Sequence, residues 1–155
     1  MPPELTTFFT GLIPFLDIKL AVPIGRSLGL SSTSALIFGV AGALVLPALM
    51  LMFLDPFVKY MEKKSKIIHK YTHKIFDKTQ RKHSKNFQRF GTIFIIIIVA
   101  IPIPGSGAGT GAIIAYLFGV DYWKAFAIMI AGVSLSGILI NTGLDSLQAI
   151  INSLN

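Results

Sequence analysis

No cysteine occurs anywhere in the 155 residues. Disulfides, thiolate metal sites and thiol nucleophiles are therefore excluded. Charge is scarce as well. Only 14% of the residues are Asp, Glu, Lys or Arg, against about a quarter in a soluble domain. The first charged residue is the acidic Glu4, and no basic stretch precedes the first apolar run, so a secretory signal peptide is not expected. What remains is long apolar sequence, with a mean hydropathy of +0.70. A chain so poor in charge and so rich in apolar runs is expected to be a polytopic membrane protein, and its length suits a single domain, 1–155.

The charge that exists is unevenly placed. Eleven of the fourteen Lys and Arg residues lie between Lys59 and Phe90, against two acids there, Glu62 and Asp77. That segment carries +9 and the rest of the chain −2. A basic segment wedged between apolar ones marks the cytoplasmic side of a membrane. Nucleic-acid binding is the rival reading of a basic run, but this position disfavours it and no nucleic-acid partner is expected. Asp55-Pro56 is a helix-start signal. Apolar residues then recur at Phe57, Met61, Ile68, Tyr71 and Ile75 with lysines between them, the pattern of an amphipathic helix on an anionic lipid surface. A plain cytosolic helix fits the same pattern less well. His69 and His73 are four apart, but without a third ligand they read as polar-face composition, and no metal or other cofactor is expected.

Four apolar blocks remain. The first, 5–28, is interrupted by Pro14, Asp17, Lys19, Pro23, Gly25 and Arg26. The second, 33–54, is long enough to cross a bilayer as one helix. The third, 91–119, breaks at Pro102, Pro104, Gly105, Ser106, Gly107, Gly109, Thr110 and Gly111. The fourth, 122–152, is continuous with a more polar tail. Proline and glycine at this density end a helix, and broken backbone survives at membrane depth only where protein or a water-filled cavity surrounds it. The third block is too short for two full spans but long enough for two half-spans.

Shifting the sequence by 90 places Pro14 on Pro104, Gly29 on Gly119, Ala35 on Ala125 and Gly42 on Gly132. The order of features also repeats: broken segment, glycine turn, continuous helix. Two repeats, 1–54 and 91–155, joined by a basic linker at 55–90, follow from this. If each broken block turns back to its own side, each repeat crosses once and the second is inverted. If each crosses fully, the chain is a four-helix bundle. The proline and glycine content favours the first arrangement. The expected fold is thus an all-α integral membrane protein, an inverted repeat of re-entrant helical hairpin plus transmembrane helix, with a cytoplasmic amphipathic helix between the repeats.

Asp17, Lys19 and Arg26 are the only charged residues inside the two broken blocks. Intramembrane charges usually face a cavity or one another; shallow, interfacial placement is the competing explanation. Asp17 is placed to cap a half-helix near a hairpin tip. The amides around Gly105 to Gly111, with the hydroxyls of Ser106 and Thr110, could form an anion-binding concavity, and the glycines also allow close packing. Together these groups suit an anionic headgroup held by Lys19, Arg26 and backbone amides, with Asp17 exchanging a proton. Pro14, Pro23, Gly25 and the Pro102–Gly111 run would form the opposing hairpin gate. In the continuous helices, Ala35, Gly39 and Ala43 form one small-residue stripe and Gly132 and Ser136 another.

Two motifs resemble the small multidrug export family, which is related to the DedA (VTT-domain) superfamily. The first is Asp17-Ile18-Lys19-Leu20-Ala21-Val22-Pro23-Ile24-Gly25, and the second runs from Ile101 to Ala112. The first motif departs from the family pattern in having Asp17 for glutamate, Lys19 for arginine and Leu20 for a small residue. The resemblance implies re-entrant hairpins in inverted repeats and membrane transport. It also implies a link to proton-dependent movement of polyprenyl phosphates or phospholipids between leaflets.

The leading expectation is a transporter or flippase, in the cell (plasma) membrane, for an amphiphilic anion such as a lipid or polyprenyl phosphate, coupled to protons. A small multidrug exporter of hydrophobic cations is the alternative, disfavoured by Lys19 and Arg26. A non-transporting, lipid-organising protein acting through the basic segment is the third. An enzyme is not expected, because Asp17 is the only acid in the broken segments. So few spans leave homodimerisation open as a way to enclose a pathway.

Overall fold

The computed structural model describes residues 1–14, 16–64, 85–101 and 107–154. Every element in those residues is helical: α1 (Pro3–Leu12), α2 (Asp17–Ser27), α3 (Ser32–Lys64), α4 (Lys85–Ala100), α5 (Ala108–Leu117) and α6 (Tyr122–Leu154). Two are long and apolar enough to cross a membrane, over Ser32–Met61 and Tyr122–Leu154. The others are short. At 1.5 Å per residue, α1, α2 and α5 each extend about 15 Å, half a typical hydrocarbon core of about 30 Å. The apolar part of α4, Gly91–Ala100, has the same reach.

The side-chain distribution is the reverse of a soluble core. Ala21, Ala35, Ala112, Ala115 and Ala125 are fully buried, whereas Ile37, Met52, Phe53, Ile93, Phe94 and Ile138 are half exposed or more. Small residues inside let helix backbones approach, and large apolar ones outside face lipid. The Ala35/Gly39/Ala43 stripe acts in this way. A Cβ on Gly11 of α1 would stand 2.7 Å from the Gly39 carbonyl oxygen, and one on Gly42 would land on the Phe8 carbonyl. Across the chain, Gly132 of α6 lies against Val99 of α4. Buried hydroxyls in α1 are satisfied within the helix: Thr7 donates to the Pro3 carbonyl at 2.8 Å and Thr10 to that of Thr6 at 2.7 Å.

The 90-residue spacing recurs in the element boundaries. α3 and α6 begin at 32 and 122. α2 and α5 end in the same way, with a left-handed glycine, Gly29 (φ 90°) or Gly119 (φ 65°). In each case the next amide reaches back five positions, Leu30 to the Gly25 carbonyl and Val120 to that of Ala115, both at 3.0 Å. This hydrogen-bond pattern closes a helix C-terminus, and glycine is the residue that adopts it without strain. Packing follows the same exchange: α5 packs on α3 and α2 on α6. Arg26 at the end of α2 bonds both Ser32, which opens α3, and Gln148, near the end of α6. The start of α3 therefore lies beside the end of α6, and the two long helices run antiparallel.

One boundary differs from expectation. Asp55-Pro56 does not begin a new helix; α3 continues through Pro56 to Lys64. Proline forfeits one helical hydrogen bond there. The ion pair between Asp55 and Lys59, 2.6 Å apart across the proline's own turn, holds the two sides together, and the helix-forming residues that follow carry it on. The rest of the expected amphipathic face, including Ile68, Tyr71 and Ile75, and both His69 and His73, lies outside the described residues.

Candidate functional site

The break between α1 and α2 brings the hairpin tip against the start of α5. Asp17 opens α2 with φ 48°, a left-handed conformation that Asp tolerates better than most residues. Its side chain is 8% exposed. Oδ1 accepts from the Ile18 amide at 2.8 Å, and Oδ2 accepts from the Ala108 amide, the first of α5, at 3.3 Å. The carboxylate thus accepts from an amide at the start of α2 and from one at the start of α5 at once. A carboxylate at a helix N-terminus is favourable because the amide dipoles point their positive ends at it.

Gly107 makes this contact possible. A Cβ there would stand 2.7 Å from Asp17 Oδ2. Residue 107 is also the position equivalent to 17 under the 90-residue shift, so the contact joins like positions of the two halves. Asp17 in the first motif and Gly107 in the second are adjacent in space although 90 residues apart in sequence.

Beside this contact is a cavity of about 180 Å³. Gly11, Ile13 and Pro14 line it from the first tip, Asp17 and Lys19 from α2, and Ala43, Leu46, Pro47 and Met50 from α3. Gly107, Ala108, Gly109 and Thr110 close it from the start of α5. Among the described residues the wall is mostly apolar, with one carboxylate, one ammonium, one hydroxyl and the amide-bearing end of a helix. Such a surface can hold an amphiphile by its head and leave the tail against apolar side chains.

The expected site residues fall into three groups. Pro14, Asp17, Lys19, Gly107, Gly109 and Thr110 meet around the cavity. Gly25 and Gly111 do not. Gly25 packs against Thr7 and Ala35, and Gly111 against Val99 and Met129; both are contact glycines between helices. Pro23 lies inside α2, away from the cavity wall. Pro102, Pro104, Gly105 and Ser106 lie outside the described residues.

Arg26 is the clearest departure. Nine residues along α2 from Asp17, it is displaced by about 13 Å along the axis and lines no part of the cavity. Its guanidinium pairs with Asp145 Oδ1 at 2.8 Å. It also donates to Asn141 Oδ1 at 2.7 Å, Gln148 Oε1 at 3.0 Å and the Ser32 hydroxyl. A cation so fully engaged is not placed to clamp a ligand beside Lys19. The signal for this was in the sequence: Asn141, Asp145 and Gln148 lie at i, i+4 and i+7 on α6, one polar stripe on an apolar helix, and such a stripe calls for a partner. The apolar wall from α3 carries no comparable signal, because Leu46 and Met50 look like any other residues of a spanning helix.

A family model described as "Putative small multi-drug export protein" matches residues 17–139. That interval begins at the site aspartate and includes α2, α3, α4, α5 and the first half of α6. No curated protein and no solved structure matches the chain significantly.

Proposed function

The chain belongs to the family of small multi-drug export proteins, since the match spans most of its length, and on that premise we propose that it moves amphiphilic molecules across the membrane through the cavity at the Asp17–Gly107 contact. In this reading α1–α2 and α4–α5 are re-entrant hairpins that enter from opposite faces, and each half crosses the bilayer once. Three features support it. The short helices each have half the reach of a bilayer core, the long helices are antiparallel, and like positions of the two halves touch. A kinship with the DedA superfamily accompanies the reading and rests on the same two motifs. The protein acts without covalent chemistry, as a plasma-membrane protein with its 59–90 end on the cytoplasmic side, where the lysine-rich composition suits anionic lipid.

For cargo, we favour an anionic headgroup such as a lipid phosphate, met by Lys19, the Thr110 hydroxyl and the first amides of α5. Asp17 competes with such a headgroup for the Ala108 amide. Protonating Asp17 would remove the charge that strengthens its hold on that amide, which couples cargo to protons without a second site. The observation that carries this is the hydrogen bond from Ala108 to Asp17 across the two tips. The withdrawal of Arg26 into a neutralised cluster favours a second reading, export of a hydrophobic cation by Asp17. One of the two cations that opposed that reading is absent from the cavity.

Purified protein in liposomes separates the two. A fluorescent lipid phosphate and a lipophilic cation are each tested for movement and for competition. Asp17→Asn keeps an oxygen for the Ala108 amide but cannot exchange a proton. Lipid-phosphate movement that loses its pH dependence in this variant supports the first reading, and movement of the cation alone supports the second. Transport unchanged in rate and pH profile by Asp17→Asn would remove the site from both.

A further inference from the structure

The cavity is one-sided. On α3 its wall includes Leu46, Pro47 and Met50. The equivalent positions on α6, 90 residues on, are Ser136, Gly137 and Ile140. That half is shut: Ile18 and Leu36 press on Gly137, and Ser136 is fully buried. The Ser136 hydroxyl has no hydrogen-bond partner among the described residues, an unfavourable state for a buried polar group unless it is met in another conformation. Where α3 opens onto the cavity, the equivalent stretch of α6 is packed against α2 and α3.

The closed half lies toward the end of the molecule where Arg26 binds α6. Arg26 is 14% exposed and joins Ser32, Asn141, Asp145 and Gln148 in one cluster. The positions equivalent to Arg26, Asn141, Asp145 and Gln148 at the other end are Tyr116, Leu51, Asp55 and Val58, and two of these have no polar side-chain atom. Asp55 there bonds Lys59 of its own helix at 2.6 Å. Among the described residues, a charge-centred polar cluster joining α2 to α6 is seen at the Arg26 end.

We propose that the Arg26–Asp145 cluster is a gate that closes the site toward the end opposite the basic segment, and that parting it exposes Ser136 as a hydrogen-bonding group for the cargo headgroup. This rests on the transport reading above. When α2 separates from α6, Ile18 withdraws from Gly137, and Ser136 occupies in the opened half the place that Leu46 holds in the present one. An aliphatic wall facing one end and a hydroxyl facing the other give the headgroup a polar contact in the second state that the first lacks.

The native chain has no cysteine, so Ser136→Cys supplies a single thiol of nearly the same shape. The full chain carrying it is reconstituted and labelled with a charged, membrane-impermeant maleimide applied at the Arg26 end. Labelling is expected to be slow. Adding Arg26→Ala should raise the rate about tenfold or more, the factor carried by one charge-assisted hydrogen bond. The reversed pair Arg26→Asp with Asp145→Arg should restore slow labelling, because Ser32, Asn141 and Gln148 can each donate or accept. Size-exclusion elution identifies any variant that has lost its fold. A folded Arg26→Ala protein that labels no faster overturns the gate, and so does a folded reversed pair that labels as fast as Arg26→Ala. If this labelling pattern holds while neither the lipid phosphate nor the cation is moved, the gate stands and the transport reading fails.

Discussion

Replacing Gly107 with alanine tests the junction between the two halves directly. The backbone there, φ −82° and ψ 179°, is ordinary extended geometry that alanine adopts without strain. The penalty must therefore come from the added methyl, which would stand 2.7 Å from Asp17 Oδ2 and 3.6 Å from its Cγ. Asp17 cannot simply slide away, because Oδ1 is held by the Ile18 amide at 2.8 Å. It must rotate, and rotation gives up the Ala108 amide. A hydrogen bond to a charged group is worth about 1.5–3 kcal/mol, and at 3.3 Å this one belongs at or below the lower end of that range. A loss of about 1–2 kcal/mol is expected. Alanine is also a poorer helix cap than glycine, so a double-mutant cycle is needed to isolate the contact. In an Asp17→Ala background the methyl meets no carboxylate, and Gly107→Ala should cost about 1–2 kcal/mol less than in the native chain. The four proteins can be compared by SDS-driven unfolding in mixed micelles, followed through Trp123, the single tryptophan. Effects additive to within about 0.5 kcal/mol would refute the junction.

Other substitutions probe separate features. Gly109→Ala places a methyl at ordinary contact distance, 3.4 Å from Met50 Sδ, so unfolding should move by less than about 0.5 kcal/mol while cargo movement in liposomes falls as the cavity narrows. Gly42→Ala sets a methyl on the Phe8 carbonyl and should cost about 3 kcal/mol or abolish folding, read by the same SDS titration. Gly29→Ala meets nothing within 4 Å but keeps φ at 90°; it should cost about 1–2 kcal/mol and leave transport unchanged. Pro56→Ala should raise the unfolding midpoint, since α3 already runs through this position; a lowered midpoint would mean that the proline begins a separate element.

The spanning helices were legible because an uninterrupted apolar run has one stable form in lipid. The starts of α3 and α6 were fixed nearly to the residue by Gly29 and Gly119, whose turn chemistry is local. The convergence of Asp17 and Gly107 was legible only in outline. Cost and break chemistry pointed to both, but that one would cap the other's helix depends on the direction in which a left-handed aspartate points. Pro56 misled because a good local start signal yields to an i,i+4 ion pair and a helix already under way. Arg26 misled for a different reason. An intramembrane cation close in sequence to a site invites assignment to it, yet ten residues of helix carry it a full half-membrane away, to partners more than 100 positions distant.

The meeting of residues 17 and 107 bears on the ancestry of such a chain. If two identical copies of one half associated face to face, whatever occupied this position would confront itself. Two carboxylates would repel, and two glycines would leave nothing to titrate. Joining the copies into one polypeptide lifts that restriction, because each side can then mutate alone. An acid opposite a bare backbone is an arrangement that a self-mated pair cannot make and a fused one can.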